Sequence, residues 1–238
     1  MIGCILRNKE RLQAIHFKNI YSKECVHILY SIDNIFKGFD LVKNNKNFHI
    51  LLEILLAHGN YMNAESIEGE ASGFQLSSLK EFYDIKSNDK KCTLFQYIIE
   101  FILDYFDIKI LNFMPFLELF DKIQIKQVQE SYNSFKEDFK SVEALKTMLE
   151  TNKDEIDEDD KTEEFLKGFY EDANKTIKLV EKKMHAINEE YENISKYLGV
   201  KNIDIDTFIS IMKVLYRKIF EALKLYRSNK EIEKKKSY

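Results

Sequence analysis

Through the second half of the chain, hydrophobic residues recur at alternating steps of four and three. Leu166, Tyr170, Ala173, Ile177, Val180, Met184, Ile187, Tyr191, Ile194 and Leu198 form an unbroken heptad seam. This pattern predicts one long amphipathic helix, ~50 Å at ~1.5 Å rise per residue. Gly199 follows at once, and glycine just past a helix end takes the φ > 0 conformation of a C-terminal cap without strain. A second stripe, Val128, Tyr132, Phe135, Phe139, Val142 and Leu145, predicts a helix from about Leu117 to Leu149. A third helix is expected after Asp206, read as its N-cap, with Phe208, Ile211, Leu215, Ile219, Ala222 and Tyr226 on one face. Tyrosine and phenylalanine at seam positions suit the core of a mixed bundle better than a leucine zipper. A homotypic tether through the 166–198 seam ranks last, because the other long helices can bury that seam within the chain.

The first half reads differently. Leu12 to Ile20, Val26 to Phe36 and Phe48 to Met62 predict shorter helices. A polar stretch from Asn63 to Gly73 then interrupts the pattern, and Gly59, Gly69 and Gly73 cluster around it. A loop of this length among helices often carries function. Helix is expected again from Thr93 to Phe106, and the single proline, Pro115, marks a break before the long helices. No internal repeat, low-complexity linker or clear domain boundary stands out. The fold class is all-α, an elongated multi-helix bundle with a long coiled-coil-like three-helix section.

Composition agrees and narrows the function classes. With seven Gly and one Pro in 238 residues there is little to punctuate short strands, and 45% hydrophobic residues suffice for a sizeable core. The net charge of −4 gives no global case for nucleic acid. Local charge is less even. Asp154, Glu155, Asp157, Glu158, Asp159, Asp160, Glu163 and Glu164 face only Lys161 in their stretch, and Arg217 to Lys236 is strongly basic. Such runs are usually solvated surface, although a basic tail also suits an acidic filament. Cys4, Cys25 and Cys92 show no metal-ligand spacing, which fits a reducing cytoplasm. No apolar run approaches the ~18 residues of a membrane helix. His16, His27, His49, His58 and His185 form no ligand pair, and Gly69-Glu-Ala-Ser-Gly73 lacks the lysine of a phosphate loop. No cofactor, metal or enzymatic activity is expected.

Residues 51–101 carry a specific resemblance. An apolar helix ends in Gly59-Asn60-Tyr61-Met62-Asn63. After it come a polar loop, Gly73-Phe74, Leu76, a Ser-Leu helix start, Asp84-Ile85-Lys86-Ser87, Asp89 and Thr93-Leu94. In order and spacing this resembles the signature of formin homology 2 domains, the actin-assembly module of formins. Upstream, Arg11-Leu12 with Phe17-Lys18 is also similar. Downstream the proline break, long helix, acidic loop, heptad helix, Tyr197-Leu198-Gly199 and basic-ended final helix follow the family. The likeness covers nearly the whole chain but about the C-terminal three-fifths of the family's domain. It implies that residues 1–115 are the end of the knob and the post-like helices, with 116–238 the coiled-coil-like helices and C-terminal helix. The family's tryptophan-bearing lasso, its linker, the front of the knob and the knob isoleucine have no counterpart in this sequence. Alone it is therefore not expected to close the family's ring.

The resemblance implies roles residue by residue. Gly59, Asn60, Tyr61, Met62 and Asn63, with Gly73 and Phe74, correspond to the post motif that accepts a second subunit's lasso. The plainer alternative is that Tyr61 and Met62 fill their own core. Glu65 stands where the family usually has glycine, and its charge is expected to narrow or block such a groove. Lys86 corresponds to the family's actin-contacting lysine, and Lys90 and Lys91 extend the patch. A lysine between Asp84 and Asp89 otherwise reads as a surface ion pair of small energetic weight. The implied function is a cytoplasmic, cytoskeleton-associated actin-binding module. In a complete dimeric domain it would contribute to nucleation and barbed-end elongation, with actin and a second formin subunit as partners and neither nucleic acid nor membrane. The alternative is a helical scaffold of the same fold that binds a non-actin partner.

Overall fold

Thr93 opens a helix through a capping box. Its hydroxyl accepts from the Gln96 N–H at 3.2 Å, and the Gln96 side chain accepts from the Thr93 N–H at 2.8 Å. Asn45 caps another helix by accepting from the Phe48 N–H at 3.0 Å. In the computed structural model, which describes residues 8–67, 69–106, 108–151, 161–200 and 203–236, such caps delimit an all-α chain. The helices are α1 (Asn8–Asn44), α2 (Lys46–Met62), α3 (Leu79–Asp84), α4 (Leu94–Tyr105), α5 (Met114–Lys122), α6 (Ile125–Thr151), α7 (Thr162–Leu166), α8 (Phe169–Tyr197) and α9 (Ile205–Lys236). The only strand-like pairing among the described residues is an isolated antiparallel bridge, Lys86 with Thr93.

Two compact units emerge. One holds residues 8–33 of α1 with α6, α7 and residues 169–188 of α8. Its core centres on Phe17, which is 1% exposed. The Phe17 ring meets Tyr21, Phe135 and Phe169 edge-on at 5.8, 5.2 and 5.8 Å between centroids, a geometry the ring quadrupoles favour. The Tyr21 hydroxyl donates to Thr176 Oγ1 at 2.7 Å, so the half-buried phenol is satisfied. Lys136 pairs with Glu181 at 2.9 Å across α6 and α8.

The other unit holds residues 34–44 of α1, the helices α2 to α5, residues 189–197 of α8, and α9. Here α9 packs against α5 and α4. Phe39, Phe48, Phe113, Phe120 and Phe208 are each fully buried. Outer ties are the Arg217–Asp121 ion pair at 2.7 Å and Asp104, which accepts from the Tyr226 hydroxyl at 2.7 Å. Gly38 lies inside α1, where an added Cβ would stand 2.6 Å from Phe120 Cζ. Gly38→Ala is therefore expected to destabilise by ~1–3 kcal/mol through overpacking, outweighing the ~1 kcal/mol helix-propensity gain. A lowered urea midpoint at unchanged m-value checks this.

Several boundaries differ from the sequence reading. The two helices expected at 12–20 and 26–36 are one, α1, since nothing between them breaks helix. The helix expected from Leu117 to Leu149 is interrupted at Ile123, which is extended (ψ 131°), between α5 and α6. The long seam begins with a break: Gly168 takes φ +77° and separates α7 from α8, a conformation that glycine adopts freely. Asp204, not Asp206, caps α9, accepting from the Thr207 N–H at 2.7 Å. Gly199 does take φ +62° after α8. The three-helix section is made by α1, α6 and α8, while α9 belongs with α4 and α5. Cys4 and the acidic stretch from Asp154 to Asp160 lie outside the described residues.

Candidate functional site

The polar stretch after α2 is a folded loop, and Asn60 organises it. The Asn60 Nδ2 donates to the Ala71 carbonyl at 2.9 Å, and the Ala71 N–H donates back to Asn60 Oδ1 at 3.0 Å. One side chain thereby gives the loop the paired bonds that a neighbouring strand would otherwise supply. Asn63 shapes the turn within: its carbonyl accepts from the Ser66 N–H at 2.8 Å. A Cβ on Gly69 would lie 2.6 Å from that same carbonyl oxygen. Glycine is required at Gly69 by this close approach. At Gly59 the nearest side-chain atom, Phe82 Cζ, is 3.4 Å from an added Cβ, an ordinary contact, and at Gly73 the space is open.

The clasped loop, the end of α2 and α3 enclose a groove of about 310 Å³. Gly59, Asn60, Met62, Asn63, Gly73 and Phe74 all line it, together with Leu56, Phe82, Ile85 and Leu94. Phe74 and Phe82 stand 6.3 Å apart between ring centroids, giving the groove an aromatic floor. Tyr61 is 80% exposed and is not a lining residue. Met62 is 55% exposed, so neither side chain fills a core. Glu65 is exposed and is not among the groove's lining residues. Leu94 belongs to the signature read from sequence, whereas Phe82 was not singled out. Only its place within α3, three residues after the buried Leu79, could have signalled it.

Lys86 sits on the turn that joins α3 to α4. Bonds from the Leu94 N–H to the Ile85 carbonyl (2.8 Å) and from the Ser87 N–H to the Cys92 carbonyl (3.0 Å) bracket it. The backbone on both sides is thus fixed while the side chain is exposed. Asp89 is committed elsewhere: it accepts from the Ser87 hydroxyl at 2.5 Å and the Lys91 N–H at 3.1 Å, and pairs with the Lys91 ammonium at 3.3 Å. Among the described residues Lys86 makes no ion pair. Lys90 is exposed with φ +58°.

The Ser87 hydroxyl, and then the Lys91 backbone N–H, hold the Asp89 carboxyl below its ordinary value. A carboxyl depressed in the folded state contributes stability above its unfolded value, near pH ~4, which is lost as pH falls through the folded one. Ser87→Ala is expected to raise the Asp89 pKa toward the ordinary carboxylate range, as a side-chain NMR titration would record.

These features give an all-helical unit with a loop-capped apolar groove and, in the same unit, a hydrogen-bonded turn presenting lysines. The profile of the Formin Homology 2 Domain matches residues 1–219. The chain belongs to the formin homology 2 family. It is 29% identical over 233 residues to Protein diaphanous homolog 3 of Homo sapiens, covering 97% of this chain and 19% of that protein. It is 28% identical over 200 residues to Formin-A of Dictyostelium discoideum, covering 80% and 16%. To Disheveled-associated activator of morphogenesis 1-A of Xenopus laevis it is 32% identical over 139 residues, covering 57% and 13%. The chain thus spans a fifth or less of the length of these relatives. No helix among the described residues is long and apolar enough to cross a membrane.

Proposed function

We propose that this chain is an actin-binding module of formin type that contributes to filament nucleation and barbed-end elongation within a complete dimeric domain. The observation that carries this reading is the family match across residues 1–219, with the signature loop folded into a groove beside the Lys86 turn. In this proposal Lys86, with Lys90 and Lys91, faces the carboxylate-rich filament surface, where a flexible ammonium on a fixed backbone meets acidic groups at little entropic cost. The groove lined by Gly59, Asn60, Met62, Asn63, Gly73 and Phe74 accepts an aromatic side chain from a second subunit's lasso, with Tyr61 at its rim. An apolar, aromatic-floored cleft with one clasped wall suits a flat ring. The protein's role is to hold actin subunits in filament-like geometry, which lowers the entropic cost of nucleation. It acts in the cytoplasm, on the cytoskeleton.

Co-sedimentation with actin filaments tests the first part: the chain is expected in the pellet, saturably and less at high salt. A chain that stays in the supernatant would count against it. The groove is tested separately with a synthetic tryptophan-bearing lasso peptide. Its binding should be lost when Phe74 is replaced by aspartate, and binding indifferent to that change would remove the lasso assignment.

A further inference from the structure

We infer that the groove between α5 and α9 docks an acidic amphipathic helix of a partner protein. This groove encloses about 620 Å³ and shares no lining residue with the one beside the signature loop. Its floor is apolar: Met114 and Pro115 from α5, and Tyr216, Phe220 and Leu223 from α9. Phe220 is 55% exposed, whereas Leu215 and Ile219 on the packed face of the same helix are 0% exposed. Tyr216, Phe220, Leu223 and Arg227 follow one another at steps of four, three and four along α9. That spacing makes a second, open apolar stripe, where a surface helix ordinarily carries polar groups.

Charge selects the partner. Around the groove most ionic groups already have partners: Glu118 with Lys122 at 2.7 Å, Arg217 with Asp121 at 2.7 Å, and Lys218 with Glu221 at 3.1 Å. Among the described residues, Lys224 and Arg227 line the groove without an ion pair; of its two carboxylates, Glu118 is engaged by Lys122 and only Glu231 is left to face them. The uncommitted charge is therefore positive, and carboxylates on the occupant complement it. Both walls are helices, so no strand edge is offered, and helix-in-groove docking with i, i+3, i+4 and i+7 anchors is the mode that fits. From Tyr216 to Glu231 the groove runs ~22 Å along α9 at ~1.5 Å per residue, about four turns of an occupant.

The test uses the 238-residue chain and two labelled helical peptides of about four turns, with identical leucine and phenylalanine anchors. One carries glutamates beside the anchors and the other lysines. Fluorescence anisotropy is expected to show the glutamate peptide binding about tenfold or more tightly, with affinity falling as salt rises. Lys224→Glu with Arg227→Glu should invert that preference. Phe220→Ala should weaken both peptides while leaving the thermal melt unchanged, since the ring is largely exposed. Equal binding of the two peptides, binding of neither, or a preference that survives the double reversal would overturn the proposal. So would a concentration-dependent dimer abolished by Phe220→Ala, which would give the groove to a second copy of this chain.

Discussion

Phe17→Ala is expected to destabilise its unit by about 3–5 kcal/mol, the range for removing a buried phenylalanine ring. The ring is 1% exposed and touches aromatic residues from α1, α6 and α8. Truncation removes three edge-on contacts together, each worth ~0.5–1.5 kcal/mol beyond area burial. The remaining rings cannot collapse onto the gap easily. Tyr21 is held by Thr176 at 2.7 Å and stacks on Phe135 at 5.7 Å. Against a total stability of ~5–15 kcal/mol this loss is large. Urea unfolding followed by circular dichroism measures it, and hydrogen exchange should place the loosened amides in α1, α6 and α8. A loss below ~1 kcal/mol, the ordinary centre for point changes, would mean that the cluster is not the unit's core.

Lys86→Asp is expected to weaken filament binding by about tenfold or more, some 1.4 kcal/mol per decade. The change reverses a charge whose backbone is bracketed by two hydrogen bonds, so the turn cannot swing it aside. The side chain is exposed and makes no ion pair among the described residues, so the fold should be untouched. Lys91→Asp should do less, because that ammonium is already engaged by Asp89 at 3.3 Å. Co-sedimentation at two salt concentrations separates the variants. Equal binding by wild type and Lys86→Asp, with an unchanged melting curve, would take Lys86 out of the interface.

Much of the fold was legible because helix chemistry is local. The seam through Ala173, Ile177, Val180, Ile187 and Ile194 is buried where its period puts it, and Gly199 caps where a glycine should. What periodicity could not supply is the identity of a helix's partner. The stripe of α9 shows the same spacing whether it faces α6 or α5, and only the aromatic core around Phe120 and Phe208 decides. Gly168 was hidden between Leu166 and Tyr170, whose four-residue step looks helical even though the chain breaks between them. At Ile123 no glycine or proline announces the interruption. For the candidate site, sequence pointed to Gly59, Asn60, Met62, Asn63, Gly73 and Phe74, which line the groove, but also to Tyr61, which does not; it missed Phe82 and the means of support. The need for glycine at Gly69 arises from a carbonyl six residues back. The Asn60–Ala71 bonds span eleven positions and leave no periodic trace.

That pair of bonds also separates the groove from the loop above it. Asn60 and Ala71 close the intervening segment into a ring at its base. The entropy of closing such a ring grows only logarithmically, ~0.6 kcal/mol for each doubling in length. Insertions or deletions between Asn63 and Gly69 that preserve the turn would therefore reach the groove through the loop's base, where Asn60, Asn63 and Ala71 line it. Changes of length or charge at the loop's tip would alter what approaches from outside, while the Asn60–Ala71 pair holds its base.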